Sequence, residues 1–281
     1  MKIIRVFVSS PGDVQAERTI ADRLIRVTAE EFGIPISVQY SNLLRNSESG
    51  ELADTAGDPD APELILCPYF WEYQRFSAEL GYQDQIPNTA QFDLVICILW
   101  SRLGTRLHPR FKMPDGSEPL SGTHYELGWA KAQRQRTPGV PALHVYRNRS
   151  RPNPPLDAPE KLEEFLHQWK SLKEFFESWG KDSGGQFIGA FNNYKNLEEF
   201  ERLFREHFRD FLSTQLSAER QQQLISRRQA RRWKDNPFRG LEIFDFEHAP
   251  IFHGRTKAVG TVLEALQVQL RARQPFVLVV L

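Results

Sequence analysis

The sequence predicts an α/β fold: a parallel sheet with helices on both faces. Three observations lead there. Short apolar runs alternate with longer stretches of helical period along the first two hundred residues. The run 93–100, Asp-Leu-Val-Ile-Cys-Ile-Leu-Trp, is apolar almost throughout, as a central strand buried on both faces must be. The chain has 281 residues, more than one ordinary domain needs, so the α/β core is expected to be accompanied by further structure.

The elements follow in order. Residues 3–8 are short and β-branched and read as a buried strand closed by Ser9-Ser10-Pro11-Gly12. Residues 13–32 take helical period, with Val14, Ile20, Leu24, Ile25 and Val27 able to share one face. Ser10 is expected to cap this helix, with Pro11 in its first position and Asp13 in its first turn. Gly33 should end it. A second strand is expected at 36–40, and a long polar loop over 41–62. Residues 68–82 are rich in aromatics and read first as a helix packed on the sheet, with a ligand-stacking surface as the alternative. Cys67, before Pro68, reads as a loop residue, and Cys97 as core. A strand over 92–100, a helix over 123–135 and a strand over 140–146 follow. Two amphipathic helices, 159–179 and 197–216, flank a possible short strand at 186–191 and form a helical extension completing a first domain, 1–216.

Lys plus Arg and Asp plus Glu balance at 36 each, which argues against a general nucleic-acid or membrane-surface binder. Two cysteines and the absence of a signal peptide point to a reducing cytoplasmic setting. His108, His124 and His144 lack metal-ligand spacing, and no metal site is expected. Residues 217–239 carry seven basic side chains against two acidic ones and read as a solvated linker, and nucleic-acid binding is the lesser alternative.

Two resemblances sharpen the functional expectation. Asn236-Pro237-Phe238-Arg239-Gly240-Leu241, then Phe252-His253-Gly254-Arg255, a helix and the apolar run 276–281, resemble the entrance of STAND-type P-loop NTPases. On that resemblance 240–281 begins an NTPase domain cut before its phosphate loop. ATP and Mg would belong to the missing part, which would also drive self-association in response to an unknown trigger.

The N-terminal stretch Phe7-Val8-Ser9-Ser10 with Asp13, Val14, Glu17 and Arg18 is similar to the opening of a TIR-like effector family found ahead of such NTPases. The strand from Asp93 leading to Arg102-Leu103-Gly104, and Ser121-Gly122-Thr123-His124-Tyr125-Glu126, match two further motifs in the same order. The resemblance implies a flavodoxin-like fold and cleavage of NAD⁺, with Glu126 as the catalytic carboxylate in antiphage defence or regulated cell death. It also implies NAD contacts from Ser9, Ser10, Trp100, Arg102, Gly104 and Tyr125. Thr123 and Glu126 also spell a capping box, in which the glutamate only caps its own helix. Glu17 and Arg18 form either an ion pair beneath the site or a surface pair. Two other functions fit the same residues: a non-enzymatic assembly module, and an enzyme resembling nucleoside deoxyribosyltransferases that cleaves another N-glycosidic bond.

Overall fold

The computed structural model describes residues 2–37, 62–156, 158–179 and 190–222. Most of the expected 36–40 strand and 41–62 loop, residues 186–189, the linker beyond 222 and all of 240–281 lie outside these. The chain divides into two compact units, Met1–Leu216 and Ser217–Leu281, and the sheet belongs to the first.

Five strands form this sheet: β1 (Lys2–Ser9), β2 (Leu64–Phe70), β3 (Leu94–Leu99), β4 (Ala142–Asn148) and β5 (Asn192–Tyr194). Their order is β2-β1-β3-β4-β5, and every pairing is parallel. This is the flavodoxin-like order, in which the strand sequence reverses direction at β1. Four long helices cover the sheet: α1 (Gln15–Glu31), α3 (Gly122–Arg136), α4 (Pro159–Trp179) and α5 (Leu197–Gln215). A single-turn helix, α2 (Tyr82–Gln85), stands where a full helix would normally join β2 to β3.

β3 is buried at all six positions, as its composition requires. Side chains alternate across a strand, so the two faces hold separate cores. One gathers Phe7, Tyr69, Phe92, Val95 and Cys97 against Leu127 of α3 and Leu172, Phe175 and Phe176 of α4. On the other, Tyr146 meets Phe200 and Phe204 of α5 at ring-centroid distances of 5.4 and 5.6 Å. The α5 stripe continues through Phe208, Phe211 and Leu212, as its spacing predicted. α5 lies beside α1, tied by Arg23–Glu201 at 2.8 Å and by Arg209–Glu31.

Several details depart from expectation. Ser10 does not cap α1: the helix starts at Gln15, its cap position is Val14, and no side chain caps it. Ser10 and Asp13 are drawn instead into tertiary hydrogen bonds with Arg18 and Ser101. Val27 is exposed, whereas Ala21, Thr28 and Ala29 are buried. Gly33 does end α1, at a φ of 64° that favours glycine. Cys67 is a fully buried strand residue, not a loop residue. Pro68 follows it in the edge strand β2, where the Leu66 amide two residues earlier points away from β1 to the Pro35 carbonyl, so a missing N–H at Pro68 costs no bond to β1. The aromatic run is not a helix: Tyr69 and Phe70 belong to β2, and Trp71–Tyr73 forms a 3₁₀ turn. Of the segment 186–191, residues 190 and 191 are not strand, and β5 begins at Asn192. Among the described residues, no helix is long and apolar enough to cross a membrane.

Phe204, on the inner face of α5, is fully buried against the rings of Tyr146, Phe200 and Phe208. Phe204→Ala is expected to destabilise the first unit by about 3–5 kcal/mol in urea unfolding. A loss below about 1 kcal/mol would contradict this packing.

Candidate functional site

In an open parallel sheet, ligands enter beyond the carboxyl ends of the strands where the order reverses. Here that point lies between β1 and β3. A cavity of about 720 Å³ opens there, within the usual size range of ligand pockets. Its lining includes Ser10 after β1, Arg102 and Gly104 after β3, and Thr123 and Glu126 of α3. Trp71, Tyr82, Gln83 and Asp84 come from the β2–β3 connection, and Arg106, His108, Arg110 and Phe111 from the loop leading to α3.

Glu126 is the buried carboxyl of this lining. It is only 7% exposed, yet it reaches the cavity. Ser9 at the end of β1 donates its hydroxyl to Glu126 Oε2 at 2.5 Å. The Gln83 side chain, which also lines the cavity, favours the charged form of the same carboxyl. Burial nevertheless dominates and raises its pKa to about 7, and the nearby Glu72 charge pushes the same way. The capping box expected from Thr123 and Glu126 is not formed. Ser121 caps α3, its hydroxyl accepting from the His124 amide at 3.1 Å, and this frees the Glu126 carboxyl for the cavity.

Buried polar contacts hold the surrounding loops. Asp13 accepts from the Ser101 amide and hydroxyl at 2.9 and 2.8 Å, joining the loops after β1 and β3. Glu17 and Arg18 are both buried but do not pair with each other, because consecutive helical residues point in different directions. Arg18 donates to Ser10 Oγ and to the Pro11 carbonyl at 2.9 Å each. Its Nε also lies 2.6 Å from Glu72, and its guanidinium sits 5.9 Å from the centre of the Trp71 ring. Burial raises the Glu72 pKa, opposed by Arg18. Glu17 accepts from Tyr194 at 3.0 Å and Asn148 at 3.2 Å, so it anchors α1 to the strands on the far side of β3.

The loop 105–120 closes one side. The Gly122 amide donates to the Thr105 carbonyl at 3.0 Å, Phe111 meets Tyr125 edge to face, and Met113 seats its methyl on Gly128. A Cβ at Gly128 would lie 2.2 Å from that methyl. At the mouth Arg110 pairs with Asp84, joining this loop to α2.

Of the expected site residues, Ser9, Ser10, Arg102, Gly104 and Glu126 come together here. Arg102 also pairs with Glu164 at 3.2 Å, and Gly104 turns with φ at 109°. Trp100 and Tyr125 do not line this cavity. Trp100 turns to a second crevice and donates to the Ser150 carbonyl at 3.2 Å. Tyr125 packs between Phe111 and Trp129, because adjacent residues of a helix project about 100° apart. Trp71, Tyr82, Gln83, Arg106, Arg110 and Phe111 are additions; the aromatic density of 69–82 and the basic residues after Gly104 were their only trace in the sequence. His108 accepts from the Arg110 amide, His124 from the Leu120 amide, and His144 packs on His207 and Phe211. Compared with known protein families, curated proteins and solved structures, the chain shows no significant match.

The Glu126 shift carries a sign. Its folded pKa exceeds the ordinary 4.5, so the stability it contributes is complete below that value and is lost as pH rises through about 7. Glu126→Gln should therefore be close to neutral for unfolding at pH 4.5 and stabilising by roughly 2–3 kcal/mol at pH 8. Equal effects at both pH values would mean that the carboxyl ionises normally. For the loop, Gly128→Leu should leave the fold intact but displace Met113, seen as raised protease sensitivity across 105–120 with near-native circular dichroism. Unchanged proteolysis would show that the loop does not rest on this contact.

Proposed function

We propose that the first unit is a TIR-like effector that cleaves the N-glycosidic bond of NAD⁺, with Glu126 as its catalytic carboxylate. The observation that carries this reading is the Glu126 carboxyl itself, buried at the switch point, held by Ser9 and facing a cavity large enough for a dinucleotide. The order of the matching motifs and the flavodoxin-like strand order support it.

The chemistry fits the residues. When the C–N bond to the ribose breaks, its electron pair leaves with nicotinamide and neutralises that ring's positive charge, so no acid is needed. The sugar carbon becomes cationic, and a fixed carboxylate stabilises it. Water then adds to the carbon and releases a proton, which a carboxylate of pKa about 7 can accept. Arg102, Arg106 and Arg110 supply cations for a diphosphate, and Trp71, Tyr82 and Phe111 supply stacking faces. Ser9 acts as a positioning residue for Glu126. In the same reading residues 236–281 lead into an NTP-driven motor, and assembly through it switches the effector on.

The test is NAD⁺ consumption by the chain, alone and under crowding that promotes association, with nicotinamide measured as product. Wild type should release nicotinamide with a rate that rises with pH through about 7, as Glu126 ionises. Glu126→Gln should reduce kcat/KM by at least about 100-fold, and Ser9→Ala should shift the pH midpoint upward by removing a hydrogen bond to the charged form. A folded, associated wild type that leaves NAD⁺ intact overturns the reading. Turnover of deoxynucleosides instead would reassign the substrate.

A further inference from the structure

A second crevice lies beside the first at the carboxyl edge of the sheet, past β3 and β4. It measures about 300 Å³ and shares no lining residue with the Glu126 cavity. Trp100 and Arg102 leave β3 on one loop, yet they enter different cavities.

The composition of this crevice is one-sided. Arg147, Arg149, Arg151 and Lys173 line it, and no acidic residue does. Among the described residues, none of these four cations has a carboxylate within 4.0 Å, whereas Arg18, Arg102 and Arg110 in the Glu126 region are each paired. Arg147 is half-buried and lies over Phe176, 3.9 Å from the ring centre. Desolvation, and then the charge of Arg149, lowers its pKa. Partly burying a guanidinium beside a like charge is costly unless an anion completes the arrangement. Trp100 and Trp169 supply aromatic surface between the cations.

The frame is also fixed in advance. The Arg149 amide donates to the Tyr194 carbonyl at 2.7 Å, and the Ser150 amide donates to Asn148 Oδ1 at 2.8 Å. Trp100 is tied to Ser150 by its indole N–H. Arg149 and Arg151 therefore stand on a hydrogen-bonded turn, Arg147 on β4 and Lys173 on α4, and such a preset frame lowers the entropy lost on capturing a ligand.

We infer that this crevice binds a nucleoside diphosphate, its base against the tryptophans and its phosphates against Arg147, Arg149 and Lys173. A lone inorganic anion would use only half of the lining. The volume sits at the lower end for ligand pockets and suits one nucleotide, not a polymer lying across the surface. The site is independent of the chemistry at Glu126.

Calorimetric titration of the full chain with ADP at low salt tests this, with pyrophosphate and adenosine as half-ligands and tryptophan fluorescence as a parallel readout. ADP should bind at least about tenfold more tightly than either half. The exposed double variant Arg149→Ala/Arg151→Ala should weaken ADP by at least about tenfold while melting like wild type, and Lys173→Ala should weaken it in the same direction. Glu126→Gln should bind ADP as wild type does, which separates this site from the other cavity. The inference is overturned if ADP does not bind, if pyrophosphate binds as tightly as ADP, or if the Arg149/Arg151 variant retains full affinity.

Discussion

Everything at the functional edge depends on the sheet being parallel throughout. Parallel neighbours cannot be joined by tight turns, so each connection must recross the sheet, and every strand delivers its carboxyl end to the same edge. The order reverses at β1, so the connections leaving β1 and β3 diverge to opposite faces and leave a gap between them. Ser9, the last residue of β1, and Arg102 to Gly104, just beyond β3, stand at that gap without any special local conformation except at Gly104. The replacement of a full β2–β3 helix by one turn widens the opening. It also lets Trp71 and Tyr82, part of a segment otherwise expected to pack on the sheet, face a cavity instead.

A gap of this kind would collapse if the surrounding loops were loose, and buried polar groups hold them in place. Ser101 bonded to Asp13, and Ser10 and Pro11 bonded to Arg18, lock the two strand ends together. Glu17 carries the constraint across to Tyr194 and Asn148. Each of these side chains would be expensive to bury alone, and each has partners. The rigidity therefore comes from a polar network beneath the cavity, and the apolar layers set only the position of the strands. The same network continues into the turn carrying Arg149 and Ser150, so both crevices at this edge share one frame.

The architecture was legible where periodicity governs. The helices at 159–179 and 197–215 emerge almost residue for residue, because Phe200, Phe204, Phe208 and Phe211 recur at helical spacing and bury together. β3 was legible from an unbroken apolar run. The errors arose where a short polar residue had two suitors. Ser10 and Asp13 spell a helix cap locally but are taken by Arg18 and Ser101, partners 8 and 88 residues away. Thr123 and Glu126 spell a capping box but lose to Ser121 and to Ser9, the latter 117 residues away. Local pattern cannot rank such competitors, because the winning contact depends on the tertiary fold. The same limit applies to the cavity: Gln83, Arg106 and Arg110 stand in loops without period, and only topology brings them to Glu126.

The protonation state of Glu126 ties the architecture to the proposed chemistry. With a pKa about 7, the carboxyl is divided between its neutral and charged forms near neutral pH, so the fold does not bear the full cost of a buried anion. The Ser9 hydrogen bond and the nearby Gln83 side chain favour the charged form and keep burial from pushing the value higher still. A ligand that brings positive charge toward the carboxyl, as a nicotinamide ring or a developing oxocarbenium centre does, shifts the balance toward the carboxylate. In the proposed reaction the charge would thus become most favourable as the oxocarbenium centre forms, and the interaction would gain more in the transition state than before it, which is the condition for acceleration. A freely solvated glutamate would already be ionised and hydrated, and would have to give up that water first.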